Sequence, residues 1–374
     1  MRILHIAKKY PPALGGDAKY VANLERQQVW DGHEVFILTP DLQEIPDKGN
    51  IYKFGVKDPS QEWDKITIRR LFSLVLFIFY LPRCYAKLRP EIIHVHSAEL
   101  GFFASLIGKL FGIPAIITCH CVLFPYKSEN FLKRKLELFF LRMGYFRRIL
   151  TVDSASMSWF EKYRFSNVVF LPECIDLEIY QSEAESYPAS LGNEIRLLFV
   201  GRLELIKGLD YLLEAMRVLI RLDKKIKLFI VGSGSHAKAF QDMAQSYGLG
   251  SQVNFLGPIH DDKALRRMYL ESSIFVLPSV MDWCPVVVLE AWALGVAVIS
   301  TKTGSYAQAA THLKNIYFIP SKDPDSIVDA VLVLLEDEKL RKRIAEGGKM
   351  LVEQEFSAKA ISAKVSRIYR EVIQ

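Results

Sequence analysis

Short, uninterrupted apolar runs recur along the chain, most of them stopped by glycine, proline or a small polar residue. They alternate with longer stretches of helical periodicity. Arg2–Ala7 (RILHIA), Glu34–Thr39, Glu91–His96 (EIIHVH), Pro114–Thr118 and Leu150–Ser154 predict buried strands in the first half. Ile195–Val200 (IRLLFV), Lys227–Val231, Val253–Leu256, Ile274–Leu277 and Val296–Ile299 do so in the second. Between them, Ala18–Asp31 predicts a helix closed by Gly32, and Leu100–Phe111 and Leu209–Leu222 predict two more. Val286–Val288 is β-branched and would suit a strand, but Pro285 before it and Glu290–Ala291 after it favour a helix that stops at Gly295. Ile316–Asp325 ends this series, and three helices follow, the last near Ala358–Val372. Strand–helix–strand alternation of this kind predicts parallel sheets covered by helices, an α/β fold. Val168–Pro172 begins the crossing from one half to the other, and no internal repeat, low-complexity tract or flexible linker interrupts the pattern.

Two segments depart from it. Residues 69–89 set a greasy core between arginines and lysines, and residues 127–148 predict a helix with seven basic and two acidic groups among phenylalanines and leucines. Such contrast suits a helix lying in a lipid headgroup region, or one packed on its own domain with its charges solvated. The longest near-apolar stretch, Leu71–Leu81, has 11 residues and is too short to span a bilayer.

With 374 residues, 50% apolar and 24% charged, the chain is globular and long enough for two domains. Its excess positive charge is confined to one region: residues 65–150 hold 14 basic against 4 acidic side chains, while residues 177–374 balance at 24 each. The patch implies an anionic partner. No nucleic-acid recognition motif accompanies it, which favours an anionic membrane surface over nucleic acid. Five scattered cysteines argue for a reducing compartment without a disulfide framework. Met1–Ala7 meets Lys8 and Lys9 and lacks the long apolar region of a secretory signal.

Chemistry concentrates at strand ends. The loop containing Gly15 and Gly16 precedes a helix start, which suits a phosphate or simply a tight connection. His96 and His120 fall at the carboxyl ends of predicted parallel strands, where ligands bind, yet either is compatible with a structural role. Cys119–His120–Cys121 cannot fold around one zinc ion, so no metal site is expected. After Ile195–Val200, Gly201–Arg202–Leu203 and Lys207–Gly208 put two cations in a loop before a helix, fit for a diphosphate or for solvent. Gly232–Ser233–Gly234 lacks the third glycine of a nicotinamide site, since Ala237 and Lys238 stand where it would be sought. Glu290 is an acid on an otherwise apolar segment, and burial would cost several kcal/mol without a partner, so it is expected to face a cleft.

Several motifs together resemble one family. PPALGGDAKYVANL…DGHEV, Thr118–x–His120, Gly201–Arg202–Leu203–x3–Lys207–Gly208, VNFLG and Asp282–x7–Glu290 followed by Ala–x–Ala–x–Gly are similar to retaining, nucleotide-sugar-dependent glycosyltransferases of family 4. The resemblance implies a GT-B fold: two Rossmann-like parallel-sheet domains facing across a deep cleft. Residues 1–176, with 358–374 returning to them, would form the acceptor-side domain, and 177–357 the nucleotide-sugar domain. It further implies catalytic roles for Arg202, Lys207, Asp282 and His120. Donor contacts would come from Gly15, Gly16, Gly201, Gly232, Gly257, Pro258, Glu290 (at the ribose hydroxyls), Gly304 and Ser305. The expected donor is a UDP-, GDP- or ADP-sugar, with no metal or other cofactor, and the acceptor a lipid-linked or polysaccharide glycan. The expected place is cytoplasmic, peripheral on the inner membrane face through 69–89 and 127–148. The chain departs from the family's pattern in four places. Asp282 replaces a glutamate, Cys121 follows His120, Pro172–Glu173–Cys174–Ile175–Asp176 replaces P-N-G-V-D, and Gln308 stands where glutamate is usual. Other readings are a GT-B epimerase or hydrolase acting on the sugar nucleotide, a two-domain nicotinamide enzyme, and a non-catalytic sugar-nucleotide-binding relative.

Overall fold

The computed structural model describes residues 1–13, 16–42, 49–58, 68–122, 131–153, 155–184, 194–222, 225–283 and 285–374. The chain divides into two compact units, Met1–Cys174 with Ala358–Gln374, and Ile175–Ser357.

In the first unit the elements run β1 (Arg2–Ile6), α1 (Gly16–Trp30), β2 (Glu34–Leu42), β3 (Ile51–Asp58), α2 (Ile68–Leu88), β4 (Ile92–Val95), α3 (Ala98–Leu110), β5 (Ala115–Cys119), α4 (Phe131–Met143), β6 (Phe146–Thr151), α5 (Ala155–Lys162) and β7 (Val168–Phe170). The strands pair in parallel in the order β3-β2-β1-β4-β5-β6-β7. Four-residue strands such as β4 are buried at every position, as a sheet covered on both faces requires. One face carries a core with Phe77, Leu81, Tyr85, Leu100, Ala104, Leu141 and Phe160, supplied by α2 to α5. The other carries Tyr20, Val21 and Leu24 of α1 with Ile361, Val365 and Tyr369 of the final helix.

The second unit runs α6 (Leu177–Ala184), β8 (Ile195–Val200), α7 (Leu209–Leu222), β9 (Ile226–Val231), α8 (Ala237–Ser246), β10 (Val253–Gly257), α9 (Asp262–Leu270), β11 (Ile274–Leu277), α10 (Val286–Ala293), β12 (Ala297–Thr301), β13 (Tyr317–Ile319), α11 (Pro324–Glu336) and α12 (Glu338–Leu351). Its sheet is parallel in the order β10-β9-β8-β11-β12-β13. A π-helical turn, Val352–Phe356, leads to α13 (Ala358–Ile373), which belongs to the first unit. Both sheets therefore have the doubly wound order, each with a switch point beside its first strand: β1/β4 and β8/β11.

The structure corrects the sequence reading in two places. The predicted helix over 127–148 ends at Met143, and β6 begins at Phe146. Gly144 lets the chain turn tightly there: a Cβ on it would overlap the Phe146 ring that docks into the core. The 11-residue apolar run lies inside a 21-residue helix, α2, which is long and apolar enough to cross a bilayer by length and composition. Yet Ser73, Phe77, Leu81, Cys84, Tyr85 and Leu88 form a stripe buried on the sheet, so one face of α2 is core. Its other face exposes Ile68, Leu71, Phe72, Val75 and Phe79, and α4, on the same side of the sheet, exposes Phe131, Leu132, Leu136, Phe139 and Met143.

Candidate active site

Beside the β8/β11 switch point of the second unit, the loops that leave the carboxyl ends of β8, β9 and β10 are stitched together by backbone. Gly201 N donates to Val231 O at 3.0 Å, Gly232 N to Gly257 O at 2.9 Å, and Leu203 N to Ser233 O at 2.9 Å. Gly232 has φ +139°, and a Cβ there would overlap the Gly201 carbonyl, so only glycine permits this approach. Gly257 follows with φ +71°, and Pro258 beyond it is exposed.

After β8, Arg202 is exposed, and its guanidinium has no hydrogen-bond or ionic partner among the described residues. A single 3₁₀ turn, Leu205–Lys207, is closed by Gly208 in the left-handed conformation, φ +68°. That turn is tied to the loop after β11, because Val280 N and Met281 N both donate to Ile206 O, at 2.8 and 3.2 Å. The tie brings Lys207 Nζ onto Asp282 Oδ2 as an ion pair, with side chains only 12% and 5% exposed. Ser279 Oγ donates to the same carboxylate oxygen at 3.4 Å. The sequence predicted Lys207 and Asp282 as separate members of a site; the structure makes them partners.

Glu290 lies on α10, whose N-cap is Pro285. It is 3% exposed, and both carboxylate oxygens accept tyrosine hydroxyls: Oε1 from Tyr180 at 3.1 Å and Oε2 from Tyr269 at 3.0 Å. The acid expected to face a cleft is thus held inside the second unit, its charge compensated by buried hydroxyls. Burial, and then the negative charge of Glu290, raise both tyrosines well above the ordinary phenol range, so they stay donors. Gly304, with φ +79°, packs its backbone against the Pro285 ring. Ser305 beside it is buried and Gln308 exposed.

In the first unit Gly16 opens α1 and is exposed; Gly15 lies outside the described residues. His120, just past β5, is joined to a buried ladder of side chains. Its Nε2 meets His96 Nδ1 at 3.2 Å, His96 Nε2 meets His5 Nδ1 at 2.9 Å, and His5 Nε2 meets Gln28 Oε1 at 2.7 Å. On the outer side His120 Nδ1 meets Glu173 Oε1 at 3.2 Å. His94, beside His5 across the β1–β4 pair, sits between the Tyr369 hydroxyl (2.6 Å) and Thr118 Oγ1 (2.7 Å). Burial pushes His5 down to about 4, and burial followed by the neighbouring rings pushes His94 and His96 well below the usual imidazole range. Ring nitrogens of His5, His94 and His96 lie within 4.8 Å of one another, a spacing that could hold a metal ion. Both nitrogens of each ring are already hydrogen-bonded, however, and no carboxylate stands among the three. Cys119 is buried and Cys121 exposed, so the Cys–His–Cys run does not converge on one point.

Sequence reasoning missed His5, His94, Gln28, Glu173, Tyr180, Tyr269 and Tyr369 as members of these clusters. His94 and His96, two apart on one strand, share a face of the sheet, and that spacing was the one available signal.

The profile of the family "Glycosyltransferase Family 4" matches residues 14–179, and that of "Glycosyl transferases group 1" matches residues 183–351. The chain is 25% identical over 400 residues to an uncharacterized glycosyltransferase of Methanocaldococcus jannaschii, covering 99% of this chain and 98% of that one. Its fold is similar to that of sucrose-phosphate synthase from Thermosynechococcus elongatus, with TM-score 0.80, 20% identity and 99% of both chains covered. It is also similar to Anabaena HepE in complex with UDP, with TM-score 0.77, 15% identity, and 99% of this chain and 100% of that one covered. The two profiles fall one on each Rossmann-like unit, and the motif residues stand at the strand ends where such units bind ligands; the chain belongs to the group 1 glycosyltransferases of family 4 type, with the GT-B fold.

Proposed function

We propose that the protein transfers a sugar from a nucleoside-diphosphate sugar to a lipid-linked or polysaccharide glycan at a membrane surface, with retention at the anomeric carbon. The observation that carries this reading is the second unit's switch point: an exposed Arg202, whose guanidinium has no partner among the described residues, and a shielded Lys207 stand beside loops whose glycines bare the backbone. Arg202 supplies a planar fork for one phosphate and Lys207 a point charge for the other. Asp282 holds Lys207 in place, and in this reading the ammonium also meets the diphosphate while Asp282 lies near the transferred sugar. The reading assigns the ribose hydroxyls to Glu290, whose carboxylate Tyr180 and Tyr269 hold in place. The reading also assigns Gly15, Gly16 and His120, which belong to the first unit, to donor recognition. Gly201, Gly232, Gly257, Pro258, Gly304 and Ser305 line the donor's path.

Catalysis in this reading is stabilisation of the leaving group. Charge developing on the departing diphosphate meets cations already fixed in place, and a phosphate oxygen takes the acceptor's proton. The reading assigns charge neutralisation to Arg202 and Lys207 and calls for no metal or other cofactor. HepE, solved with UDP and with UDP-glucose, makes a UDP-sugar the first donor to try, beside GDP- and ADP-sugars.

Action at a membrane is supported by the apolar faces of α2 and α4. Their exposed phenylalanines and leucines alternate with Arg69, Arg83, Lys133, Arg134 and Lys135 on one side of the first unit. Each surface cation is worth on the order of 1 kcal/mol against anionic lipid, and the reading places the enzyme on the cytoplasmic leaflet. The test is a thermal-shift panel of UDP-, GDP- and ADP-sugars, followed by transfer from the stabilising donor to membrane lipid extracts. A glycosylated lipid whose new linkage keeps the donor's anomeric configuration supports the proposal. Release of free sugar or an epimerised donor, with no acceptor product, overturns it.

A further inference from the structure

At the amino ends of β5 and β6 the first unit carries a groove of about 730 Å³, within the roughly 300–1,000 Å³ usual for ligand pockets. Pro114 precedes β5 and Tyr145 precedes β6, whereas His120 follows β5. In a parallel sheet the groove therefore lies at the edge opposite His120. Its floor is apolar, with Ile113, Pro114, Phe146 and Val372. Met143 and Ile373 stand exposed in its walls, and Leu110 and Phe111, next along the chain from Lys109, are exposed beside it. Tyr145 N donates to the buried Ser105 Oγ at 3.0 Å, which ties the start of β6 to α3 and fixes the walls. Three cations line the same groove, Lys109, Arg142 and Arg147, and no acidic side chain does. Lys109 Nζ lies 3.4 Å from the centre of the Tyr145 ring, and Arg142 donates to Tyr163 O at 3.0 Å. None of the three cations has a carboxylate partner among the described residues. Lys109 and Arg142 stand in the last turns of α3 and α4, where they offset the carbonyl ends of those helices. Each helix end carries roughly half a negative charge, so three cations leave a surplus of about two.

We propose that this groove binds one anionic phospholipid, its phosphate among Lys109, Arg142 and Arg147 and its acyl chains along the apolar floor and rim. The two arginines supply planar forks for phosphate oxygens and the lysine a point charge. Free phosphate would leave the apolar floor uncovered, and a zwitterionic lipid would bring its own cation to a site already rich in them. A second copy of the chain would set three more cations against these three, a like-charge juxtaposition that interfaces avoid. Arg142 and Met143 are the last two residues of α4, so the groove continues the exposed apolar face of that helix. Dispersed surface cations sense only the average charge of a leaflet; a groove with fixed walls takes one headgroup at a time. The lipid held here is not the molecule to be glycosylated, because the groove is at the other edge of the sheet from His120.

The site goes beyond the proposed function and does not rest on it, since lipid binding is expected whether or not the protein transfers sugar. The probes are dihexanoyl phosphatidylglycerol, dihexanoyl phosphatidylcholine and inorganic phosphate, with both lipids kept below the concentration at which they form micelles. Calorimetry of the whole chain is expected to give one phosphatidylglycerol per chain, at least about tenfold tighter than either other probe, the equivalent of one charge-assisted hydrogen bond. Amide spectra of the same sample are expected to shift at Gly112, Gly144 and Tyr145. Lys109→Gln combined with Arg147→Gln changes two exposed side chains and is expected to weaken phosphatidylglycerol binding at least about tenfold at an unchanged melting temperature. Should that variant prove unstable, the wild-type affinities and shifts decide alone. Equal binding of phosphatidylcholine overturns the inference, as do equal binding of phosphate and no binding of any probe. Shifts confined to α2, or an unchanged affinity in the stable double variant, overturn it too. Sedimentation that shows lipid-free protein pairing, with the pair lost in the double variant, would give the groove to a second copy and overturn it as well. Phosphatidylglycerol bound here by a protein that transfers no sugar would sink the proposed function and leave this inference standing.

Discussion

Lys207 and Asp282 form a shielded ion pair in the second unit, and the proposed function makes the same pair bear on activity. Their side chains are 12% and 5% exposed, and among the described residues Asp282 has one further side-chain hydrogen bond, a long one from Ser279 Oγ at 3.4 Å. Lys207→Met removes the cation and leaves a shielded carboxylate uncompensated. Breaking a buried pair from one side costs roughly 3–5 kcal/mol, and the residual exposure here points to the lower end, about 3 kcal/mol. That is about two decades in the unfolding equilibrium. Asp282→Asn strands the lysine instead; its longer stem lets the ammonium swing toward water, so about 1–2 kcal/mol is expected. In the double variant both charges are gone, and stability returns to within about 1 kcal/mol of wild type. The cycle therefore yields a coupling energy of at least about 3 kcal/mol. The assay is urea unfolding followed by tryptophan fluorescence, reading the transition reported by Trp292, which is fully buried in the second unit's core. Donor turnover is lost in all three variants, so the double variant is stable and inactive. Additive single costs, or turnover retained in the double variant, would refute the reasoning.

Further outcomes follow from other contacts. Tyr269→Phe deletes one of the two hydroxyls on buried Glu290 and should cost about 1.5–3 kcal/mol in the same unfolding assay, the range for a hydrogen bond to a charged group; a change under about 0.5 kcal/mol would show that the hydroxyl does not bear on the carboxylate. Gly208→Ala should cost at least about 2 kcal/mol and abolish turnover, because a Cβ at φ +68° would overlap the Pro278 carbonyl and push Lys207 off its turn; crystals of the variant would show the displaced loop. The first unit should lose stability in acid. His5, His94 and His96 have folded values below the unfolded value near ~6.5, so the unfolded chain binds protons first as pH falls. Their contribution is complete above ~6.5 and is lost toward the folded value, about 4 for His5, at about 1.4 kcal/mol per pH unit for each ring. Thermal unfolding at pH 7.5, 6 and 5 checks this, and a flat profile contradicts it.

The two parallel sheets were legible because their strands are buried on both faces and spell largely apolar runs, as Ile274–Leu277 does without a break. β3, IYKFGVKD, was not read, since it lies at the edge of its sheet and mixes lysine and glycine into its apolar positions. The end of α4 was misjudged because Phe146 continues the aromatic spacing of the helix although it already belongs to β6. At the candidate site, local motifs revealed the members and hid the partnerships. Gly201–Lys207 and Asp282 were each visible, but their meeting depends on β8 and β11 lying side by side. Glu290 was visible as an acid needing a partner. Its tyrosines stand 110 and 21 residues away, and nothing local marks them. The histidine ladder needs β1, β4 and β5 adjacent and in register, a property of the sheet rather than of any segment.

The most direct measurement is calorimetric titration of UDP, GDP and ADP into wild type and Arg202→Gln, an exposed position where substitution leaves the core untouched. One diphosphate should bind wild type, and the variant should bind it at least about tenfold more weakly, the equivalent of one charge-assisted hydrogen bond to a phosphate. Equal affinity in the two proteins would contradict the assignment of the β8/β11 switch point as the donor's diphosphate site.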